Sequence, residues 1–271
     1  MKIFLYGRTN NAEFALATLA FFAIATLLLL PMVSVVLASP ADRPIQAPRL
    51  HVKDTSFSSN WSGYAVESNL NSPASNYIRS ASGSWVIPAL SCTPTTTYSS
   101  IWVGIDGYSS NTVEQLGTEQ DCSGGVQRNY AWFEMYPSAS RLITTVSVNA
   151  GDRITASVVY LGSSQFRLNL RDLTTGQTFS TLASGTAQLS SAEWVVEAPS
   201  AASILPLSNF GTATITNARY TTIASPSVTE TISGLGSNTY TDIAMHDPAG
   251  GNATPTSLNP TGTAFRDTYS S

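Results

Sequence analysis

The stretch SSAEWVVEAPS, residues 190–200, holds two carboxylates four residues apart in a chain that otherwise avoids charge. On an extended strand, Glu193 and Glu197 project from one face. A carboxylate on a half-buried face is costly unless a partner or a reaction uses it. The chemistry open to such a group is proton transfer, as a base on water or an acid on a leaving group. Two further segments offer polar company. TVEQLGTEQDC, residues 112–122, puts Gln115, Gly117 and Glu119 on one strand face and Glu114 on the other. NYAWFEMYP, residues 129–137, lines up Tyr130, Trp132, Glu134 and Tyr136. An aromatic stripe with one carboxylate suits a groove wall, where rings supply contact area. An amphipathic outer strand is the other reading of that pattern.

Other chemistries find no support in the sequence. His51 lies in a Pro-rich stretch, which leaves His246 to serve any Ser-His-Asp or Cys-His mechanism, and no motif surrounds it. There is no CxxC, HExxH or Gly-rich phosphate loop, so neither a metal nor a nucleotide cofactor is expected. In DIAMHDPAG, Asp242, His246 and Asp247 read as a surface loop, and Asp106 in WVGIDG reads as a turn cap.

The elements that must hold these residues are strands. Short alternating or apolar runs recur roughly every 8–14 residues, as in all-β folds. NAGD (149–152), LGSS (161–164) and TTGQ (174–177) mark turns between them. DPAGGNATPTSLNPTG, from Asp247, reads as a long loop before a last strand. An antiparallel sandwich or barrel in one domain, residues 55–271, accounts for the pattern.

Ahead of that domain, Lys2 and Arg8 precede an apolar run from Phe14 to Ala38. Residues 1–38 read as a cleaved secretory signal or, given the length of the run, an uncleaved membrane anchor. Residues 39–54 are a linker or short propeptide. Either way the domain is expected outside the cell, secreted or anchored. Charged residues are only 11% of the chain, while 10% aromatics argue against disorder. Beyond Asp54 there is no lysine, and eight arginines face 14 acids, a balance of −6. That formal charge disfavours nucleic acid and anionic membrane as partners. Few salt-bridged carboxylates also leave little for acid to break, which suggests acid tolerance. Cys92 and Cys122 read as a disulfide in an exported chain, with two free thiols as the alternative.

The words NWSGYAV, SGSWVIP, IWVGIDG, EQLGTEQDC, YAWFEMYP, GDRITASVVY, AEWVVEAPS and LPLSNFGTATITNA resemble, in order, those of the eqolisin, or glutamic peptidase, family. The likeness spans most of residues 57–235. It implies a lectin-like jelly roll, an antiparallel two-sheet β-sandwich with a substrate groove on the concave sheet. It implies an acid endopeptidase acting on polypeptides as a monomer, without a cofactor. The family's catalytic glutamine matches Gln115, and its catalytic glutamate, the second acid of the AEWxxE word, matches Glu197. Substrate-facing positions match Trp102, Trp132, Glu134, Tyr136 and Glu119, the last standing where members commonly carry Asp. Ala198 follows Glu197 where an acid is common.

The chemistry is consistent with that likeness. A glutamate, with a reference pKa of about 4.3, is still partly ionised in acid, where histidine is fully protonated. Two other functions fit the same residues. A glycosidase would use Glu134 and Glu197 as its carboxylate pair. A lectin-like module would stack sugars on Trp102, Trp132 and Tyr136. Asn60 and Asn252 lie in glycosylation sequons.

Overall fold

The computed structural model describes residues 57–271, so the proposed leader (1–38) and linker (39–54) lie outside the described residues. Sixteen strands run in chain order: β1 Phe57–Ser58, β2 Trp61–Glu67, β3 Ile78–Val86, β4 Thr97–Ile105, β5 Val113–Ser123, β6 Val126–Tyr136, β7 Arg141–Ile143, β8 Arg153–Gly162, β9 Gln165–Asp172, β10 Thr178–Ser184, β11 Ser191–Glu197, β12 Thr212–Thr222, β13 Thr229–Thr231, β14 Tyr240–His246, β15 Asn252–Pro255 and β16 Phe265–Ser270. Among the described residues there is no helix.

The strands join edge to edge in one path, β10-β9-β8-β3-β12-β16-β15-β14-β2-β11-β4-β5-β6-β7. Pairing along the path is antiparallel, and the short β1 pairs in parallel with β14. The two arms of the path pack on each other: β4 meets β3 and β8, and β11 meets β3 and β12. Their inward side chains form one core that includes Trp85, Ile154 and Leu168 from one arm and Ile101, Val103 and Leu116 from the other. Two indoles cross it as polar ties. Trp194 Nε1 donates to the Ser82 carbonyl at 2.7 Å, and Trp85 Nε1 donates to Thr118 Oγ1 at 2.9 Å.

The turn signals act as their residue types require. Asp152 accepts the Asn149 amide at 2.7 Å, Asp172 accepts the Thr174 amide at 2.8 Å, and Gly151 and Gly176 take φ of 90° and 80°. Five strands were not visible in the sequence pattern: β1, β10, β13, β14 and β15. The segment around Asp242 and His246 is strand β14, not a loop, and β15 interrupts the stretch expected to be one long loop. Both pair with neighbours at the sheet's middle, where pairing partners substitute for a strong alternating pattern. β7 keeps strand geometry for only three residues.

The disulfide is present. Cys92, in the β3–β4 connection, bonds to Cys122 near the end of β5, with the Cα atoms 5.4 Å apart.

Candidate active site

Strands β2, β11, β4, β5 and β6 lie side by side, and their register brings the candidate residues together in rows. One row reads Trp61, Glu197, Ser100, Glu119, Tyr130. Two residues along each strand, the next row reads Gly63, Val195, Trp102, Gly117, Trp132. The third reads Ala65, Glu193, Gly104, Gln115, Glu134. Directly paired residues, and residues two apart, share a sheet face. All of these side chains therefore project from the face opposite the main core. That face carries its own apolar cluster, with Trp61, Trp102, Trp132 and Val195 buried and Tyr130 and Tyr136 partly buried at its margin.

Asp106 explains how the register is held. It takes φ of 69° at the end of β4. Its carboxylate accepts the backbone amides of Gln188, Leu189 and Ser190 at 2.7–2.8 Å. The chain entering β11 is thus pinned to the chain leaving β4, and Glu197 is indexed against Trp102. Asp106, expected to cap its own turn, instead caps the distant chain at Gln188–Ser190.

Glu197 is fully buried and receives two donors. Trp102 Nε1 donates to its Oε2 at 2.7 Å, and Asn60 Nδ2 donates to its Oε1 at 3.1 Å. Burial pushes its pKa well above the usual carboxylate range, the Trp102 bond draws it back, and Glu134 pushes it up again. Trp102 is itself braced edge-on by Trp61, with ring centroids 4.8 Å apart.

Gln115 is buried, and its Nε2 donates to Glu134 Oε2 at 2.7 Å. Burial raises Glu134 to about 8, and this bond lowers it. Glu134 therefore orients the amide as well as facing the aromatics. Glu119 shares the row of Glu197. Burial holds it well above the usual range, with Asp121 and Glu197 adding to the shift.

The indole of Trp102 spans the ground between the pair. Its Nε1 edge meets Glu197, and its far edge lies over Gly104 beside Gln115. Gly104 leaves the room: a Cβ there would come within 3.0 Å of the indole and 3.1 Å of Gln115 Cβ. A Cβ on Gly117 would collide with the Ile101 carbonyl and with Trp102.

Two participants were missed in the sequence. Asn60 was read only as a glycosylation sequon, yet it is 3% exposed and bonded to Glu197. Ser100, between Glu197 and Glu119 in its row, accepts the Trp132 indole N–H at 3.1 Å. Nothing in the local sequence marks either residue, because their partners are 137 and 32 residues away. Asp242, His246 and Asp247 form no such group. His246 is exposed and contacts Asn252 across the strand pair, and Asp247 caps its own turn through the Ala249 amide and also accepts the distant Leu207 amide. Among the described residues no cluster suited to a metal ion occurs.

Residues 59–262 match the family model described as the peptidase A4 family. The chain is similar to aspergillopepsin-2 of Aspergillus niger, 34% identical over 128 residues, or 45% of each chain. It is similar to scytalidopepsin B of Scytalidium lignicola, 29% identical over 162 residues, or 55% of each. The chain thus matches about half the length of these curated relatives. The solved structure of scytalido-glutamic peptidase with a transition state analog inhibitor superposes with a TM-score of 0.60 at 21% identity, covering 78% of this chain and 98% of that one, a likeness of fold. The family match runs through every strand that carries the three rows, and on that extent the chain belongs to the peptidase A4 family.

Proposed function

We propose that this chain is an exported acid endopeptidase that cleaves peptide bonds with Glu197 and Gln115. The two packed arms would then be the two sheets of a jelly-roll sandwich, with the three rows on the substrate-facing sheet. The observation that carries the reading is the pair of donors on Glu197. Several buried acids share that face, and Glu197 is the one held at both oxygens by N–H groups. Such donors favour the ionised form, which a base requires.

Glu197 takes a proton from water, and the resulting hydroxide bonds to the scissile carbonyl carbon. The carbonyl oxygen becomes an oxyanion stabilised by the Gln115 side-chain NH₂. Glu197 then passes its proton to the leaving nitrogen as the C–N bond breaks, which yields a carboxylic acid and an amine. Glu134 orients the Gln115 amide, and Trp102 and Asn60 orient Glu197. Tyr130 and Tyr136, at the partly exposed margin, meet the incoming polypeptide. The burial of Trp102 and Trp132, 1% and 2% exposed, argues against a sugar-stacking platform, which needs open ring faces.

The test is digestion of an unfolded protein between pH 2 and 6, with pepstatin and with a chelator, followed by mapping of the fragments. Cleavage untouched by both reagents and lost in Glu197→Gln is expected. Cleavage blocked by pepstatin, or none at any of these pH values, overturns the proposal.

A further inference from the structure

The formal charge of this domain is not its surface charge. Of the 14 acids beyond Asp54, eleven are buried, Asp121 and Glu230 are half-buried, and only Asp242 is exposed. All eight arginines are exposed. A balance of −6 on paper is therefore a cationic exterior, and the expectation drawn from it about anionic partners loses its basis.

The arginines are not spread evenly. Arg79 on β3, Arg153 on β8, Arg167 and Arg171 on β9, Arg219 on β12 and Arg266 on β16 all belong to the arm that faces away from the candidate site. Their strands alternate buried and exposed, and the arginines fall on exposed positions. The acids of those strands, Asp172 and Asp267, fall on buried positions and point into the core. No carboxylate thus projects from the outer face of these strands. Between the arginines runs a row of small polar residues, Ser82, Ser157, Asn169 and Ser180, paired in register across four strands. Asn169 ties it together, donating to Ser157 at 3.2 Å and accepting from Ser180 at 2.8 Å. The aromatics of the same strands, Trp85, Phe166 and Tyr220 among them, point inward.

From this we infer that the outer face of the β3-β8-β9-β12-β16 arm binds an anionic polysaccharide. Guanidinium groups meet carboxylate or sulfate groups bidentately and keep their charge at any working pH. Arg167 and Arg171, four residues apart on one strand, stand roughly 13 Å from each other, so a chain rather than a small ion fits them. The hydroxyl and amide row between them suits sugar hydroxyls. The absence of outward aromatics disfavours single-stranded nucleic acid, which binds by stacking its bases. The face is separate from the candidate site, so polymer binding and peptide cleavage are independent properties of one domain.

The test uses the exported protein on immobilised dextran sulfate, with neutral dextran as the control. Retention on the sulfated matrix alone, with elution by salt, is expected. Arg167→Gln/Arg171→Gln/Arg219→Gln should weaken binding at least about tenfold while peptide cleavage and thermal melting are unchanged. The same three positions changed to Lys should keep most of the binding. Arg128→Gln/Arg141→Gln removes the two arginines that lie off this arm and should bind nearly as the parent does, whereas Arg167→Gln/Arg171→Gln, with the same change in net charge, should lose most of the binding. Equal losses in these two double variants would show that binding follows net charge and would overturn the assignment. Failure to bind the sulfated matrix overturns it as well, as does an oligothymidylate bound as tightly as dextran sulfate.

Discussion

The two ends of β11 carry the same side chain under nearly the same conditions. Glu193 and Glu197 lie on one strand and one face, and neither is exposed to solvent. What differs is the company. Glu197 has Trp102 and Asn60, an N–H for each oxygen. Glu193 sits between Ala65 and Gly104 in its row, with no side-chain N–H on either oxygen, and the Ser191 hydroxyl and the Tyr108 backbone offset its burial only in part. Burial raises both, and the donors on Glu197 lower the cost of ionising it, so it can give up and regain a proton more readily than burial alone would allow. The sequence word AEWVVE contains both situations, and nothing in the word itself separates them.

The largest expected effect breaks the comparison at its active end. Glu197→Gln should lower kcat by about 100- to 10,000-fold with the fold intact, while Glu193→Gln keeps most of the turnover. Equal losses in the two variants would erase the distinction. Next is Gln115→Glu, which replaces an amide donor with an acid. Turnover should fall about 100-fold, as on removing one oxyanion donor, and recover in part at the lowest pH, where the new carboxyl is protonated and can donate. Steady-state kinetics across the acid range would show both. Trp102→Phe removes one donor and so raises the Glu197 pKa further. The acid limb of the kcat/KM profile should move up by about one pH unit, about a tenfold loss on that limb. An unmoved limb would mean that the indole does not set the base.

The smallest effect is on stability and belongs to the other end of β11. A carboxyl whose pKa is higher folded than unfolded binds its proton more tightly in the native state. Its contribution is complete below the unfolded value, about 4, and is lost as pH rises through the folded value. Burial raises Asp121 and Asp267 to about 7 and Glu134 to about 8, so melting temperatures should fall steadily from about pH 4 to about pH 8. Glu193, raised by the same cause, joins this set. Glu193→Gln should therefore melt about 2–4 °C above the parent at pH 7, and the gap should close at pH 3. Melting curves at the two pH values decide it.

This corrects the reason for expecting acid tolerance. A low charge count suggested few salt bridges to break. The structure shows instead that most carboxylates are inside, so acid removes a buried charge rather than a pairing. Burial of that kind is not legible in composition. Local pattern did reveal the all-β class, the long strands and the turns at Gly151 and Gly176, because alternation and turn chemistry act over a few residues. It did not reveal β14 and β15, whose pairing comes from distant partners. For the site, the strand faces of Gln115, Glu119, Trp132 and Glu134 were legible from period two. The bond from Gln115 to Glu134 and the donors on Glu197 depend on register between strands far apart in the chain, which no local word contains.

Asn60 has a consequence for how the protein is made. In a host that glycosylates exported chains, the NWS sequon would meet that machinery while unfolded, before the side chain is buried. A glycan attached there cannot follow the amide into a position 3% exposed, and the modified chain loses the fit around Glu197. Expression in a host that glycosylates should divide the product into folded and misfolded fractions according to occupancy of this one site. Asn252, half-buried beside His246, imposes no comparable penalty. The choice of expression host is thereby part of the active-site chemistry, and Asn60→Gln made in both kinds of host separates the cost of the sugar from the cost of the lost amide geometry.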